Sequence, residues 1–340
     1  MKILIIGQGI AGTMLAHILE RAGVQVVVAE ASLPGRSSEV AAGIVNPVTG
    51  KRFVKSWRLD DFFSVAQYHY RALESLLGIS VWEERPILRL LATPEEKNDW
   101  ATRCAQTDYT EYMGERPTSG AWAPFLKPGF HIGVIHKAAR VNFPTLLHAF
   151  REKARINGQL IDTPIQYGDI ETLLGEYDRV VFCEGYRASE NPYFPNLPWQ
   201  LAKGEALLIR FQDSRANQVH DMLKKTSLIA PLGDGLFWAG GSYQWHYPDL
   251  DPSLGERDYI LQRLGEMLQA PFEVVGHVAG VRPSVKDRRP FLGESQVLSR
   301  VYIFNGLGTK GALLAPFWAE HLADHLLKGT PLDTTVAVGR

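Results

Sequence analysis

Gly7, Gly9 and Gly12 fit the spacing G-x-G-x-x-G, and the next apolar run closes on a carboxylate, Glu30. At this spacing the first glycine permits a tight bend, the second lets a pyrophosphate reach the backbone, and the third lets helix pack on strand. An acid at the end of the second strand can bind both ribose hydroxyls of an adenosine, and its charge disfavours a 2′-phosphate there. Far along the chain, Arg282 in "GVRPSVKDRRPFLGE" can grip a carboxylate through two parallel hydrogen bonds, or be spent on an internal acid such as Asp287. A second glycine turn, Gly306-Leu307-Gly308-Thr309-Lys310-Gly311, carries one cation, Lys310. Together these residues could bind a dinucleotide and orient a small anion beside it.

The elements around them suit that task. Lys2 to Ile6 (KILII) reads as a strand buried on both faces. Helical periodicity follows through Arg21, with Ala11, Met14, Leu15, Ile18 and Leu19 on one face. Gly23 stops that helix, and Val24 to Ala29 forms a second strand. Strand, glycine turn, helix and acid-tipped strand together predict a dinucleotide fold, whose helix N-terminus offers free N–H groups and positive dipole to phosphates. Near the other end, Val301 to Phe304 is a strand, and the helix after the second turn carries Leu313, Leu314, Phe317, Trp318 and Leu322 as its apolar stripe.

Composition narrows the class. The chain has 340 residues, 45% hydrophobic, with 36 basic against 37 acidic side chains. This excludes bulk disorder and any global field toward nucleic acid or anionic membrane. Cys104 and Cys183 form no metal or disulfide spacing. Cys183 reads as a small buried residue rather than a reactive thiol. The start resembles a signal peptide only until Gly-Gln-Gly interrupts it, and no uninterrupted apolar run is long enough to span a membrane. A cytoplasmic protein without a membrane partner is expected. His321 and His325 lack a third ligand, so no metal is expected, and no G-x-S-x-G elbow occurs.

The stretch Arg36-Ser37-Ser38-Glu39-Val40-Ala41-Ala42-Gly43-Ile44 resembles the "R-(S/T)-(S/T)-x-x-A-x-G" of the D-amino acid oxidase family of FAD enzymes, glycine oxidase among them. "VNFPTLLHAFREKARINGQLIDTPI", "DRVVFCEGY" and the block from Gly280 to Glu294 followed by Val301 to Leu327 follow the same family's patterns. The resemblance implies FAD held by Gly7, Gly9, Ile10, Ala11 and Gly12, with Glu30 and Ala31 at the adenosine. It implies Ser37 and Ser38 along the phosphate and ribitol, and Ala41, Ala42, Gly43 and Ile44 along the flavin. Ile165 would hold the adenine through backbone groups, and Gly185 would lie close to the cofactor. The turn from Gly306 to Gly311, with Lys310, would face the flavin's N1–C2=O edge and stabilise charge arriving there.

For substrate, the resemblance places a carboxylate on Arg282. The family's strand-starting tyrosine is replaced by Leu228, which leaves Tyr243 as a substitute, or else as aromatic packing with Trp245 and Tyr247. No cysteine lies between Val281 and Arg340, so the cofactor should be non-covalent. The implied fold is α/β (α+β overall). A Rossmann-like FAD-binding domain with a mostly parallel sheet spans residues 1–78, 141–198 and 275–340. An interleaved antiparallel-sheet substrate domain spans residues 79–140 and 199–274. Trp82 to Glu96 and the run from Lys203 to Trp245 are expected as its strands, with a helix over Gly255 to Ala270.

The implied activity is oxidation of the C–N bond of an amino acid or N-substituted glycine. Hydride passes to flavin N5, then electrons to oxygen or another acceptor. Two other readings stay open. "GLGTKG" is close to the turn of a relative that trims a carboxymethylaminomethyl group from modified tRNA, although no basic tract is long enough to suggest tRNA, the cluster Lys51, Arg52, Lys55 and Arg58 reads as a solvated or substrate-facing loop, and no nucleic-acid partner is expected. A non-catalytic flavin-binding or electron-carrier module is the other.

Overall fold

The computed structural model describes all residues, Met1–Arg340. Lys2–Ile6 lies inside a six-stranded sheet, paired in parallel with Gln25–Ala29 on one side and Arg179–Phe182 on the other. Leu160–Ile161 extends one edge; parallel Val301–Asn305 and antiparallel Phe291–Glu294 complete the other. Ile3 and Ile5 enter one core with Met14, Leu15, Phe150 and Trp318, whereas Leu4 and Ile6 enter another with Ile170, Phe182 and Ile303. Both faces are therefore dry, which is why KILII shows no polar alternation.

Helices Ile10–Arg21, Leu59–Leu77, Phe143–Ile156 and Gly311–Lys328 cover the first of these faces. Gly78 and Gly329 end two of them in the left-handed conformation, with φ of 65° and 71°. His325 Nδ1 meets the Thr330 carbonyl at 2.8 Å, and His321 Nε2 accepts from Asp333 N–H at 2.9 Å. The two histidines thus tie down the last helix's exit.

The second sheet has eight strands in the order Phe272–Arg282, Ala202–Phe211, Leu236–Gly240, Leu228–Gly233, Met222–Lys224, Ile87–Leu91, His131–Ile135 and Met113–Arg116. Every pairing is antiparallel except Met222–Lys224 with Ile87–Leu91, which is parallel. Those two strands are separated by a long excursion through the first sheet, so no hairpin constrains their direction. Trp82–Glu84, expected in this sheet, instead joins Ala139–Val141 and Ile44–Val45 in a three-stranded one. Pro86 has no N–H to donate and separates the two strand segments of this region. The helix expected over Gly255 to Ala270 runs Leu254–Gly265, after which Met267 and Leu268 turn into the outer core.

Alternation sorts the sheet's two faces. Leu88, Leu90, Leu207, Ile209 and Phe237 pack outward beneath Ile260 and Leu264 of the short helix, while Ile87, Leu91, Met222, Leu228 and Ala230 join the core toward the first sheet. The strand carrying Arg282 is stitched to the first body: Val281 N–H donates to the Gly35 carbonyl at 2.9 Å, and Arg36 and Val281 form a parallel bridge. Trp238 Nε1 also donates to the Val40 carbonyl at 2.9 Å. No helix is long and apolar enough to cross a membrane.

Two alanine substitutions should act in opposite directions. A Cβ on Gly12 would sit 1.9 Å from the Gly7 carbonyl oxygen, so Gly12→Ala must lever the helix off the turn and should cost about 1–3 kcal/mol. Gly255 has nothing within 4 Å and lies in a helix, so Gly255→Ala should gain about 0.5–1 kcal/mol. Urea denaturation of the two variants checks both; a neutral Gly12→Ala would refute the close-packing argument.

Candidate functional site at the strand ends

A cavity of about 670 Å³ opens where the parallel strands end and the inner face of the eight-stranded sheet begins. Gly7, Glu30, Cys183 to Gly185, Asn305 and Leu307 all reach it from carboxyl ends of strands, the place where open α/β sheets take their ligands. Of the residues expected on the cofactor, Gly7, Gly9, Ile10, Ala11, Glu30, Ala31, Ser37, Ser38, Ala41, Ala42, Gly43 and Ile44 line it. So do Ile165, Gly185, Arg282, Leu307, Gly308, Thr309 and Gly311.

Three expected residues do not line the cavity. Gly12 and Gly306 stand behind it and act by close packing; a Cβ on Gly306 would meet Val285 Cγ2 at 2.9 Å. Lys310 turns away and donates to Ser56 Oγ at 3.1 Å, so its charge is not brought to the cavity wall. Burial pulls its ammonium pKa down, with the nearby Arg288 charge adding to the effect. Backbone at Leu307, Gly308 and Gly311 remains there without it.

The nucleotide end is built for an extended anion. Gly7 has φ +102°, and a Cβ there would strike the Cys183 carbonyl oxygen at 2.5 Å. The helix starting at Ile10 has no acid in its first turn, and Gly9 at its N-cap offers no side chain, so apart from Ile10 N–H its positive end meets no side-chain acceptor. Ser38 Oγ accepts from Ile10 N–H at 3.2 Å. The buried Glu30 carboxylate is fixed by Gln8 N–H at 2.7 Å, Ser32 N–H at 2.8 Å and Arg36 Nη1 at 2.9 Å. Gln8 is itself buried, donates to the Leu147 carbonyl at 2.9 Å and accepts from Arg151 Nε at 2.8 Å. A Cβ on Gly43 would lie 1.9 Å from the Val141 carbonyl oxygen, so the small residues there also serve close backbone packing. Glycine cradle, open helix end and acid at the ribose position fit an adenine dinucleotide.

At the other end stands Arg282. Its Nη2 donates to the Ser242 carbonyl at 3.1 Å, its Nη1 is buried without a partner, and its guanidinium lies 5.1 Å from the Tyr243 ring centroid. Burial pulls its pKa down, and Tyr243 opposes that shift. Asp287, the internal acid that could have consumed it, pairs with Arg340 at 3.0 Å instead. The nearest sequence acid on the neighbouring strand, Glu205, points to the opposite face by alternation and serves Ser253, Lys203 and His277 at 2.8–3.1 Å. The guanidinium occupies space that exists because residue 204 is glycine: a Cβ there would lie 2.0 Å from Nη2. Tyr243 and Trp245 are each 45% exposed with rings 4.7 Å apart, so neither is core packing. Leu228 lines the wall in place of a hydroxyl.

Four lining or supporting residues escape motif reading. Gly204 looks like any strand glycine, Gln8 sits at a variable position of the first glycine turn, and Arg36 opens its motif without any hint that it pairs with Glu30. Glu184, in the loop after Arg179–Phe182, accepts from Asn191 Nδ2 at 2.8 Å and Tyr167 Oη at 3.1 Å, and burial raises its pKa to about 7. Cys183 beside it is buried, and burial pushes its thiol well up, as suits a packing role.

Glu184 yields a pH prediction. Its unfolded carboxyl ionises near 4.5, so between that value and about 7 the folded protein holds the extra proton. Its contribution is full below the lower value and lost as pH rises through the upper one. Wild type should therefore lose stability relative to Glu184→Gln when denaturation is compared at about pH 5 and about pH 8. Parallel pH profiles for the two proteins would show that Glu184 does not titrate as described.

The chain matches the family described as FAD dependent oxidoreductase (DAO) over residues 2–325. It is 25% identical to glycine oxidase of Pseudomonas aeruginosa over 97% of this chain and 96% of that protein. It is also 25% identical to the tRNA 5-methylaminomethyl-2-thiouridine biosynthesis bifunctional protein MnmC of Marinobacter nauticus, over 99% of this chain but 58% of that protein. Its fold superposes on iminodiacetate oxidase from Chelativorans sp. BNC1 with a TM-score of 0.79 at 19% identity, covering 99% of this chain and 100% of the other. With the glycine cradle, the buried Glu30 carboxylate and the arginine-bearing strand in place, the chain belongs to the DAO family of FAD-dependent oxidoreductases.

Proposed function

We propose that the protein oxidises the C–N bond of a small carboxylated amine, an amino acid or N-substituted glycine, in the cytoplasm, where its two free cysteines would stay reduced. The observation that carries this reading is Arg282, a cation in a cavity wall with an unpartnered buried Nη1 and no acid on it. A substrate carboxylate would complete that hydrogen bonding and fix the amine's α-carbon relative to the wall formed by Ala41 to Ile44.

FAD would lie non-covalently, its adenosine toward Glu30 and its phosphates over the Gly7 to Gly12 turn; when bound it supplies the two-electron acceptor for the substrate C–H bond. Arg282 binds and orients, Tyr243 stacks on the guanidinium, and the Leu228 and Trp238 side chains exclude water. The amine becomes an imine, which water hydrolyses after the electrons have left. The names of the glycine oxidase and iminodiacetate oxidase relatives support an amine substrate.

In the basic stretch weighed for tRNA, Lys55 is paired with Asp60, and Arg58 with Asp61 and Asp333. No second reading is therefore preferred.

Anaerobic mixing of the FAD-loaded enzyme with a panel of amines tests this. Carboxylated amines should bleach the oxidised flavin band, and Arg282→Ala should weaken their binding by roughly tenfold or more, the scale of a charged hydrogen bond. Gly204→Ala, which displaces the same guanidinium, should raise KM with flavin content unchanged. Bleaching by amines without a carboxylate, equally in wild type and Arg282→Ala, would overturn the assignment.

A further inference from the structure

One row of residues crosses the eight-stranded sheet under the cavity. The registers Ala206↔Val278, Ala206↔Gly240, Leu228↔Gly240, Lys224↔Leu228 and Lys224↔Arg89 place Val278, Ala206, Gly240, Leu228, Lys224 and Arg89 side by side. The first five line the cavity. Met222 and Ile87, two residues away on the same strands, belong to the core between the sheets, whereas Leu223 and Leu88 belong to the outer one. Lys224 and Arg89 therefore leave the sheet on the cavity's side.

Neither cation is neutralised. Lys224 Nζ reaches only the Thr226 carbonyl, at 3.3 Å. Arg89 Nη1 donates to the Lys225 carbonyl at 2.9 Å, its Nε is buried without a partner, and its guanidinium packs 5.4 Å from the Phe53 ring centroid. Burial, then the Arg89 charge, pulls the Lys224 pKa down to about 8, so the ammonium stays charged at neutral pH. The cavity thus has a second unpaired cation besides Arg282. The two are separated by small residues, Ala206, Gly240 and Gly241, that leave room for a ligand. Gly241, where a Cβ would lie 3.1 Å from Arg282 Nη2, follows Gly240, which stands two strands from Lys224, about 10 Å between backbones.

We propose that Lys224, backed by Arg89, is a second anion subsite, and that the substrate is an amine bearing two carboxylates, such as an N-carboxymethyl amino acid. One carboxylate sits on Arg282 and the other on Lys224. The proposal rests on the carboxylated-amine reading above. A monoacid satisfies Arg282 alone and leaves the Lys224 ammonium uncompensated in the wall; a diacid compensates both.

Two acids without an amine, which cannot be oxidised, separate the possibilities. Diglycolate carries a carboxylate at each end of an ether; methoxyacetate carries one. Binding to the FAD-loaded enzyme is read from perturbation of the flavin spectrum. Diglycolate should bind at least about tenfold tighter than methoxyacetate. That difference should vanish in both Lys224→Met and Lys224→Gln and persist in Lys224→Arg. Equal affinities in wild type, or a preference that survives both neutral substitutions, would overturn the subsite. Methoxyacetate binding that depends on Arg282 with no gain for diglycolate removes the subsite alone. Failure of both acids to bind removes the carboxylated-amine reading with it.

Discussion

A guanidinium held in a protein wall without an acid is costly, and the fold is arranged to keep Arg282 in that condition. Its neighbours supply one carbonyl, one aromatic face and a glycine whose missing Cβ gives it room. The acids within reach are otherwise engaged, Asp287 by Arg340 and Glu205 by Ser253, Lys203 and His277 on the far face of its strand. Pleat alternation alone keeps Glu205 away, so the charge imbalance at the cavity follows from the strand register. A one-residue slip of Ala202–Phe211 would bring that carboxylate to the cavity side and bury the glycine outward.

The same geometry explains why the cavity lies where it does. Parallel strands expose their carboxyl ends together, and each continues into a turn lined with backbone N–H groups or small residues. Gly7, Gly185 and Gly308 all have positive φ, at 102°, 61° and 54°, and all occupy such turns. The antiparallel sheet supplies what the parallel one lacks, a broad side-chain surface set opposite these turns. An anion-accepting rim and a cation-bearing wall thus come from different architectures.

Much of the nucleotide end was legible from residue spacing, because the glycine positions of a phosphate turn are dictated by backbone contacts local to one strand-turn-helix unit. Lys2–Ile6 follows from its unbroken apolar run and Ile10–Arg21 from its helical apolar periodicity. Arg282 was singled out by its motif and does line the cavity, but its freedom from Asp287 was not legible, since that depends on Arg340, the last residue, folding back onto Asp287. Lys310 looked like a cofactor-facing charge because it interrupts a glycine turn, yet the turn points it at Ser56. Lys224 and Gly204 carried no signal: a lysine in a strand commonly marks a solvated face, and only the order of strands across the sheet turns that face inward. The same limit hid the parallel pairing of Met222–Lys224, which depends on where a long excursion returns.

The strand ending at Arg282 is also bonded through Val281 to Gly35, next to the arginine that grips Glu30. The two ends of the pocket are therefore connected directly through the segment at Gly35 and Arg36. A displacement of Glu30 would pass through Arg36 and Gly35 to the strand that carries Arg282, so the two ends of the cavity are joined by a few bonds rather than by the long way round the chain.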